Sequence, residues 1–290
     1  MTGPFAERLP DAAGKGSIRV WLKSSAYTRR LLLSEAGDPW VSGAHYLAYF
    51  SQAHGLLKPD VAVLEVGELY DSWHAAHPGE LAASLGNRRK PATALRKLLE
   101  AEAPRNVLAE VVEAVLAQLR GQTPLVLSMP SPRRWMNHAN QLTGSTDIAL
   151  SADDAEDAAM YLADLMRSVS AFPLSGVLLE EARDDANFNA LDLTRYTSIV
   201  NVVRHYRWSL ALRLPNSAAP PPEALAHFDA VISPAIDSAS AVALGRDISA
   251  AFATGAAIAP LSGRQFYFAE IDPVLRPESV LEALARLRGG

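Results

Sequence analysis

Residues 61–71, Val61-Ala62-Val63-Leu64-Glu65-Val66-Gly67-Glu68-Leu69-Tyr70-Asp71, join an apolar run of one strand's length to a cluster of acids and a phenol. The arrangement recurs. Arg19-Val20-Trp21-Leu22 runs into Lys23-Ser24-Ser25, Leu125–Met129 into Ser131-Pro132-Arg133-Arg134, Val177-Leu178-Leu179 into Glu180-Glu181, and Ala230-Val231-Ile232 into Pro234-Ala235-Ile236-Asp237. Stretches with helical periodicity lie between most of these runs. Parallel strands covered by helices read as continuous apolar runs, and such folds gather their ligand sites at the carboxyl ends of the strands. The reading is an α/β protein, a single (β/α)8 TIM-type barrel, and an enzyme. Some irregularity is allowed for, because seven strands can be counted against a barrel's eight.

The expected strands are Ile18–Leu22, Val61–Val66, Leu125–Met129, Val177–Leu179, Leu210–Leu214, Ala230–Ile232 and Phe266–Ala269. Helical spacing marks Val41–Leu57, two or three helices between Pro78 and Gly121, and Asp153–Ala171, where four acids crowd the positive end of the helix dipole. Further helices are expected over Leu193–His205, Glu223–His227, Ala239–Thr254 and Pro277–Leu287. Residues 1–17, rich in Gly, Pro and Ala, read as a flexible lead-in, and 18–290 as one barrel domain.

Composition narrows the function. The chain has 290 residues, 49% hydrophobic and 20% charged, with a formal net charge of −5, which argues against general binding to nucleic acid. There is no cysteine, so disulfides, thiolate nucleophiles and thiolate metal ligands are all excluded. No secretory signal or bilayer-length apolar run is apparent, and a cytoplasmic protein without a membrane partner is expected. No phosphate-cradling glycine motif and no Gly-x-Ser-x-Gly elbow occurs. A homodimer is left open.

Candidate site residues follow from the strand ends. Arg133 and Arg134 suit a carboxylate, which a guanidinium grips with two donors, and Trp135 offers a flat wall beside them; the alternative is a solvated loop. Glu180 and Glu181 are adjacent, so an extended strand turns only one of them into the barrel mouth. At the second strand, Glu65 and Glu68 differ by an odd number of positions; Glu68 is taken as the inward carboxylate, with Tyr70 or Asp71 as its neighbour. His138 is a proton-shuttle candidate in a loop, and His74 and His77 with nearby acids are a remote metal candidate. Lys23 ends the first strand. Arg213 interrupts the apolar Leu210–Leu214 and, if buried, needs a carboxylate partner from the protein or from substrate.

The order of these segments resembles the superfamily of uroporphyrinogen decarboxylase and the cobalamin-independent methionine synthases. The resemblance rests on Val20-Trp21-Leu22 with Ala26 and Arg29-Arg30, and on Asp60–Leu64 running to Glu68-Leu69. It rests also on Val177–Glu181, and on Asp229–Ser233 followed by Ser240-Ala241 and Gly245. It implies one α/β barrel and two chemistries: cofactor-free decarboxylation, or methyl transfer involving a zinc-bound thiolate. It also implies substrate-binding roles for Arg29 and Arg30. Because cysteine is absent, the expectation is a cofactor-independent lyase of the decarboxylase kind, without metal, acting on a small acidic substrate. Its catalytic residues would come from Lys23, Glu68, His138 and Glu180 or Glu181, and its substrate contacts from Arg29, Arg30, Tyr70, Asp71, Arg133, Arg134, Trp135 and Arg213. The alternatives are a methyltransferase or demethylase component with non-thiolate metal ligation, zinc being the metal in that case, and a non-catalytic ligand-binding barrel.

Overall fold

Eight short parallel strands form the centre of the molecule: β1 (Val20–Lys23), β2 (Ala62–Glu65), β3 (Leu125–Pro130), β4 (Gly176–Glu180), β5 (Ser209–Arg213), β6 (Ala230–Ser233), β7 (Ala243–Asp247) and β8 (Gln265–Glu270). The structure is a computed structural model that describes residues 3–33, 37–86, 90–145, 150–185, 188–236 and 242–289. The strands follow one another from β2 to β8, and β8 pairs in turn with β1, so the sheet curls into a nearly closed (β/α)8 barrel. Among the described residues no ladder joins β1 to β2. The amino-terminal end of that gap is bridged by Asp60, whose carboxylate accepts from the backbone N–H of Arg19 and of Val20, each at 2.8 Å.

Around the barrel run α1 (Ser25–Leu32), α2 (Gly43–Leu57), α3 (Val66–Ala76), α4 (Glu80–Leu85), α5 (Pro91–Glu100), α6 (Glu102–Leu119), α7 (Pro132–Leu142), α8 (Ala152–Ser168), α9 (Thr197–His205), α10 (Ser249–Thr254) and α11 (Pro277–Gly289). The long α8 starts at a capping box between Ser151 and Asp154, and its Ala155, Ala158, Ala159, Leu162 and Met166 are buried against the outside of the barrel. No described helix is long and apolar enough to cross a membrane.

The inward side chains alternate along each strand and stack in layers. Ile18, Trp21, Val61, Val126, Leu178, Ala211, Ala230, Ile232, Phe266 and Phe268 fill the barrel with apolar bulk. Two residues further along, the last inward position of several strands is charged or polar: Lys23, Glu65, Ser128, Glu180, Arg213, Asp247 and Glu270. The sequence therefore places a dry lower barrel under one polar layer at the mouth.

Three segments depart from their expected structure. The helix expected over Ala239–Thr254 is instead β7 followed by α10, with residues 237–241, Asp237, Ser240 and Ala241 among them, outside the described residues. Gly245 explains the difference: a Cβ there would stand 2.7 Å from Ile232 and 2.8 Å from Phe266, so the barrel interior admits only glycine at that point of the strand. Tyr70 and Asp71, placed at the end of the second strand, lie on helix α3, and the segment of Arg133, Arg134, Trp135 and His138, read as a loop, is helix α7. Pro132 occupies the first turn of α7 and the Ser131 hydroxyl caps it by accepting from the Arg134 N–H, so Pro-Ser-Pro marks a helix start rather than a loop.

The lead-in expected as flexible is anchored under the barrel. Phe5 is completely buried, its N–H bonds to the Ser175 carbonyl at 3.0 Å, and the Ala6 N–H bonds to the Ser209 hydroxyl at 2.9 Å.

Candidate functional site

At the carboxyl ends of the strands, Arg213 stands almost wholly buried in the middle of an ionic network. Its Nε and Nη2 fork onto Asp247 Oδ2 at 3.1 and 2.8 Å, and its Nη1 donates to Glu270 at 2.7 Å and to Glu180 at 3.2 Å. The guanidinium also lies 4.7 Å from the centre of the Phe268 ring. Lys23 enters from β1, with its ammonium 2.5 Å from Glu180, 3.4 Å from Glu65 and 4.0 Å from Glu270. The Ser128 hydroxyl donates to Glu180, and the Ser249 hydroxyl to Asp247 Oδ1, each at 2.5 Å. Two cations thus face four acids, and Arg183, 3.6 Å from Glu270 at the rim, brings a third.

Burial penalises the charge on Lys23, but Glu65, Glu180 and Glu270 outweigh it and hold the ammonium protonated well above its ordinary range. Burial likewise works against ionised Glu180, yet Lys23 and Arg213 prevail and keep it below the usual carboxylate range. Glu65 goes the other way. Burial lifts it to about 7, with Lys23 opposing and the charges of Glu180 and Glu68 adding to the rise. Its Oε1 is buried with no hydrogen-bond partner.

These directions have opposite consequences for stability. An acid whose folded pKa lies above its unfolded value favours folding while protonated, so the Glu65 contribution is full below about pH 4.5 and is lost as pH rises through about 7. We expect Glu65→Gln to remove that loss: the variant should gain on the order of 3 kcal/mol over the wild type between pH 4.5 and pH 8. Urea denaturation across that range measures it, and parallel wild-type and mutant curves would show that Glu65 does not carry its proton there.

Above this layer lies a cavity of about 230 Å³, lined among others by Lys23, Glu65, Glu68, Asp71, Arg134, Glu180 and Glu270. Glu68 sits on the first turn of α3 at its rim, held by the Ser25 hydroxyl at 2.6 Å and by Arg29 at 3.4 Å. The carboxylate at the end of β2 nearest the barrel network is Glu65, not Glu68: the strand ends at Glu65, and Glu65 shares its inward parity with Val61 and Val63.

Of the remaining expected residues, several stand apart. Glu181 turns outward, buried between the hydroxyls of Ser131 at 2.5 Å and Tyr196 at 2.8 Å. Burial raises its pKa, against those two hydrogen bonds. Arg133 is paired with Asp192 at 2.5 Å, away from the cavity, while Arg134 reaches the carbonyls of Glu180 and Glu181 at 3.4 Å. Tyr70 and Trp135 pack edge to face, 5.5 Å apart, as buried core. Arg30 donates to the Leu275 carbonyl. His138 Nε2 meets Asp71 at 2.6 Å on the open surface between α7 and α3. Sequence reasoning missed Glu65, Asp247, Glu270 and Ser128.

The zinc that the superfamily resemblance brings with it has no ligand set here. The chain has no cysteine, and among the described residues no three His, Asp or Glu are placed to hold a metal ion. The inward Glu180, Asp247 and Glu270 are taken up by Lys23 and Arg213 instead.

No protein-family model matches the chain, and no curated protein does. Among solved structures, a methyltransferase from Methanosarcina mazei is similar, with a TM-score of 0.61 at 11% identity, over 98% of this chain and 94% of that one. At that identity the likeness is one of fold, an α/β barrel followed from end to end, and it is compatible with the superfamily that the segment order resembles.

Proposed function

We propose that the protein is a methyl-transferring enzyme whose reaction takes place in the mouth cavity, with Glu65 as the proton acceptor. The observation that carries this reading is Glu65 itself: a buried carboxylate with a proton affinity near neutrality, beside a lysine that stays charged, at the strand ends of a barrel similar throughout to a methyltransferase. An acceptor X–H, a heteroatom nucleophile, gives its proton to Glu65. The freed electron pair on X forms a bond to the methyl carbon of an activated donor as the bond from that carbon to its leaving group breaks. The leaving group keeps the bonding pair, and Glu65 returns its proton to solvent. Lys23, Glu180 and Arg213 keep fixed charges throughout, so little reorganisation accompanies the shift of charge.

The lyase expected from the sequence has less behind it. Two of the arginines expected to seize a substrate carboxylate, Arg133 and Arg213, are bound to acids of the protein itself.

The test follows ¹³C-labelled O-, N- and S-methyl compounds and methylcobalamin by NMR against a panel of thiols, amines and hydroxyl compounds. We expect label to appear on a heteroatom acceptor, with turnover reduced about 100-fold or more by Glu65→Gln. Turnover should survive exhaustive chelation, since the chain has no thiolate and the described residues hold no histidine cluster to bind zinc. Release of carbon dioxide from a carboxylic acid, without methyl transfer, would restore the lyase. Activity lost to a chelator and regained with one metal would require a metal-assisted reaction.

A further inference from the structure

The charge balance of the mouth says what kind of molecule it accepts, given the reading that the cavity is the substrate site. Its lining includes five acids, Glu65, Glu68, Asp71, Glu180 and Glu270, against two bases, Lys23 and Arg134. Most of these acids are already answered. Glu180 and Glu270 are held by Arg213 and Lys23, Glu68 by Ser25 and Arg29, and Asp71 by His138. Glu65 is the exception. Its side chain is about nine-tenths buried, its contact with Lys23 is 3.4 Å against 2.5 Å for the competing Glu180, and its Oε1 has no hydrogen-bond partner.

A buried acceptor without a donor costs about 1–3 kcal/mol, more if it is charged, so a cation at the cavity wall that pairs with the Glu65 carboxylate answers a charge that the protein leaves under-paired. A carboxylate ligand would do the reverse: it would add an acceptor and a negative charge beside the unanswered acid. Lys23 is engaged by the closer Glu180, which leaves Arg134, whose guanidinium contacts the Glu180 and Glu181 carbonyls at 3.4 Å, as the lining base to set against the five acids.

We propose that the mouth cavity takes a small organic cation bearing N–H donors, a primary or secondary ammonium, seated on Glu65. The volume of about 230 Å³ fits a compact amine of a few carbon atoms. The groups facing Glu65 from the packed elements are Lys23 of β1, Tyr46 of α2, Ser128 of β3, Glu180 of β4 and Glu68 of α3. Only Lys23 among them is cationic, and it is drawn toward Glu180. Seating a second ammonium there requires Glu65 to be ionised, so binding tightens as pH rises from 6 to 8, and the proton released on binding is greatest near pH 6 and fades toward pH 8. An amine held in this way can give its proton to Glu65 and become a nucleophile, which makes it a suitable acceptor in the proposed reaction.

The experiment is binding alone, by calorimetry and thermal shift on the full chain, with n-butylammonium, butyramide and butyrate as near-isosteric probes and tetramethylammonium as a cation without N–H. We expect n-butylammonium to bind, tetramethylammonium and butyramide to bind more weakly, and butyrate not at all. Glu65→Gln should weaken n-butylammonium about tenfold or more and abolish the proton release seen between buffers of different ionisation heat. Glu270→Gln, which alters an acid already paired with Arg213, should have the smaller effect. Preference for butyrate, or equal binding of n-butylammonium by wild type and Glu65→Gln, would overturn the proposal. Because no turnover is read, either failure leaves methyl transfer standing, and an inactive protein that still binds ammonium through Glu65 would count against methyl transfer alone.

Discussion

Replacing Arg213 with leucine is expected to lower the unfolding free energy by about 3–5 kcal/mol at neutral pH, and the melting temperature by on the order of 10 °C. The reason is what the substitution leaves behind. Asp247 and Glu180 are each only 4% exposed, and Glu270 depends on the same guanidinium. Without Arg213, Glu180 and Glu270 keep Lys23, for which Glu65 competes, and Asp247 keeps, among the described residues, only the hydroxyl and N–H of Ser249. Removing one partner from a buried ionic group is far more damaging than replacing the whole group, because the survivors stay desolvated. The pH dependence has a defined sign. In the wild type the depressed pKa of Glu180 contributes stability that is present above its unfolded value and lost as pH falls through the folded one. The deficit of Arg213→Leu should therefore be greatest above about pH 5 and shrink in acid, where the orphaned carboxyls take up protons. Arg213→Lys should recover only part of the loss, since an ammonium cannot fork onto Asp247 while reaching Glu180 and Glu270. Denaturation curves at pH 4 and 7 decide the matter; a loss below about 1 kcal/mol at pH 7 would mean that water reaches the network and screens it.

The same network shows which parts of the site can be read from sequence. Lys23, Glu180 and Arg213 are visible because each ends or interrupts an apolar run, and an inward charge at a strand end stands out against Val, Leu and Ile. Glu65 obeys the same rule, yet with a strand expected to reach Val66 the reading prefers Glu68 as the inward carboxylate. With the true boundary, the parity that separates Glu180 from Glu181 selects Glu65 over Glu68. Glu270 lies one residue past the expected end of β8. Asp247 was lost for a deeper reason. The Ala- and Ser-rich stretch around β7 has helical composition, and only its ladders with the neighbouring β6 and β8, in which Gly245 pairs with Ile232 and Phe266, establish it as a strand. Arg133 and Trp135 were misread in the opposite direction: once Pro132 starts a helix, its rotation carries them to Asp192 and to Tyr70, away from the mouth. The barrel follows from local pattern, whereas the pairing of its charges depends on boundaries one residue wide.

Phe5→Ala should cost about 3–5 kcal/mol, although the residue lies in a segment whose Gly, Pro and Ala content reads as a loose lead-in. The ring closes the lower end of the barrel. It meets Trp21 edge to face with centroids 5.3 Å apart, Trp21 stacks on Phe266 at 6.0 Å, and a Cβ added at Gly176 would lie 2.4 Å from the Phe5 ring. A side chain packed that closely cannot be truncated without leaving a cavity, because the strands around it are fixed by their ladders. The flanking backbone is held as well: Ser17 and Ile18 both donate to the Arg8 carbonyl at 3.0 Å, and the Arg8 side chain reaches the Gln122 carbonyl at 2.8 Å. Deleting residues 1–8 should therefore destabilise the protein at least as much as Phe5→Ala. A truly loose segment would change stability by no more than about 0.5 kcal/mol. Urea denaturation of the two variants separates these outcomes. The loss should fall on unfolding and spare ammonium binding in the surviving folded fraction, since the Trp21, Phe266 and Phe268 layers stand between Phe5 and the charged mouth.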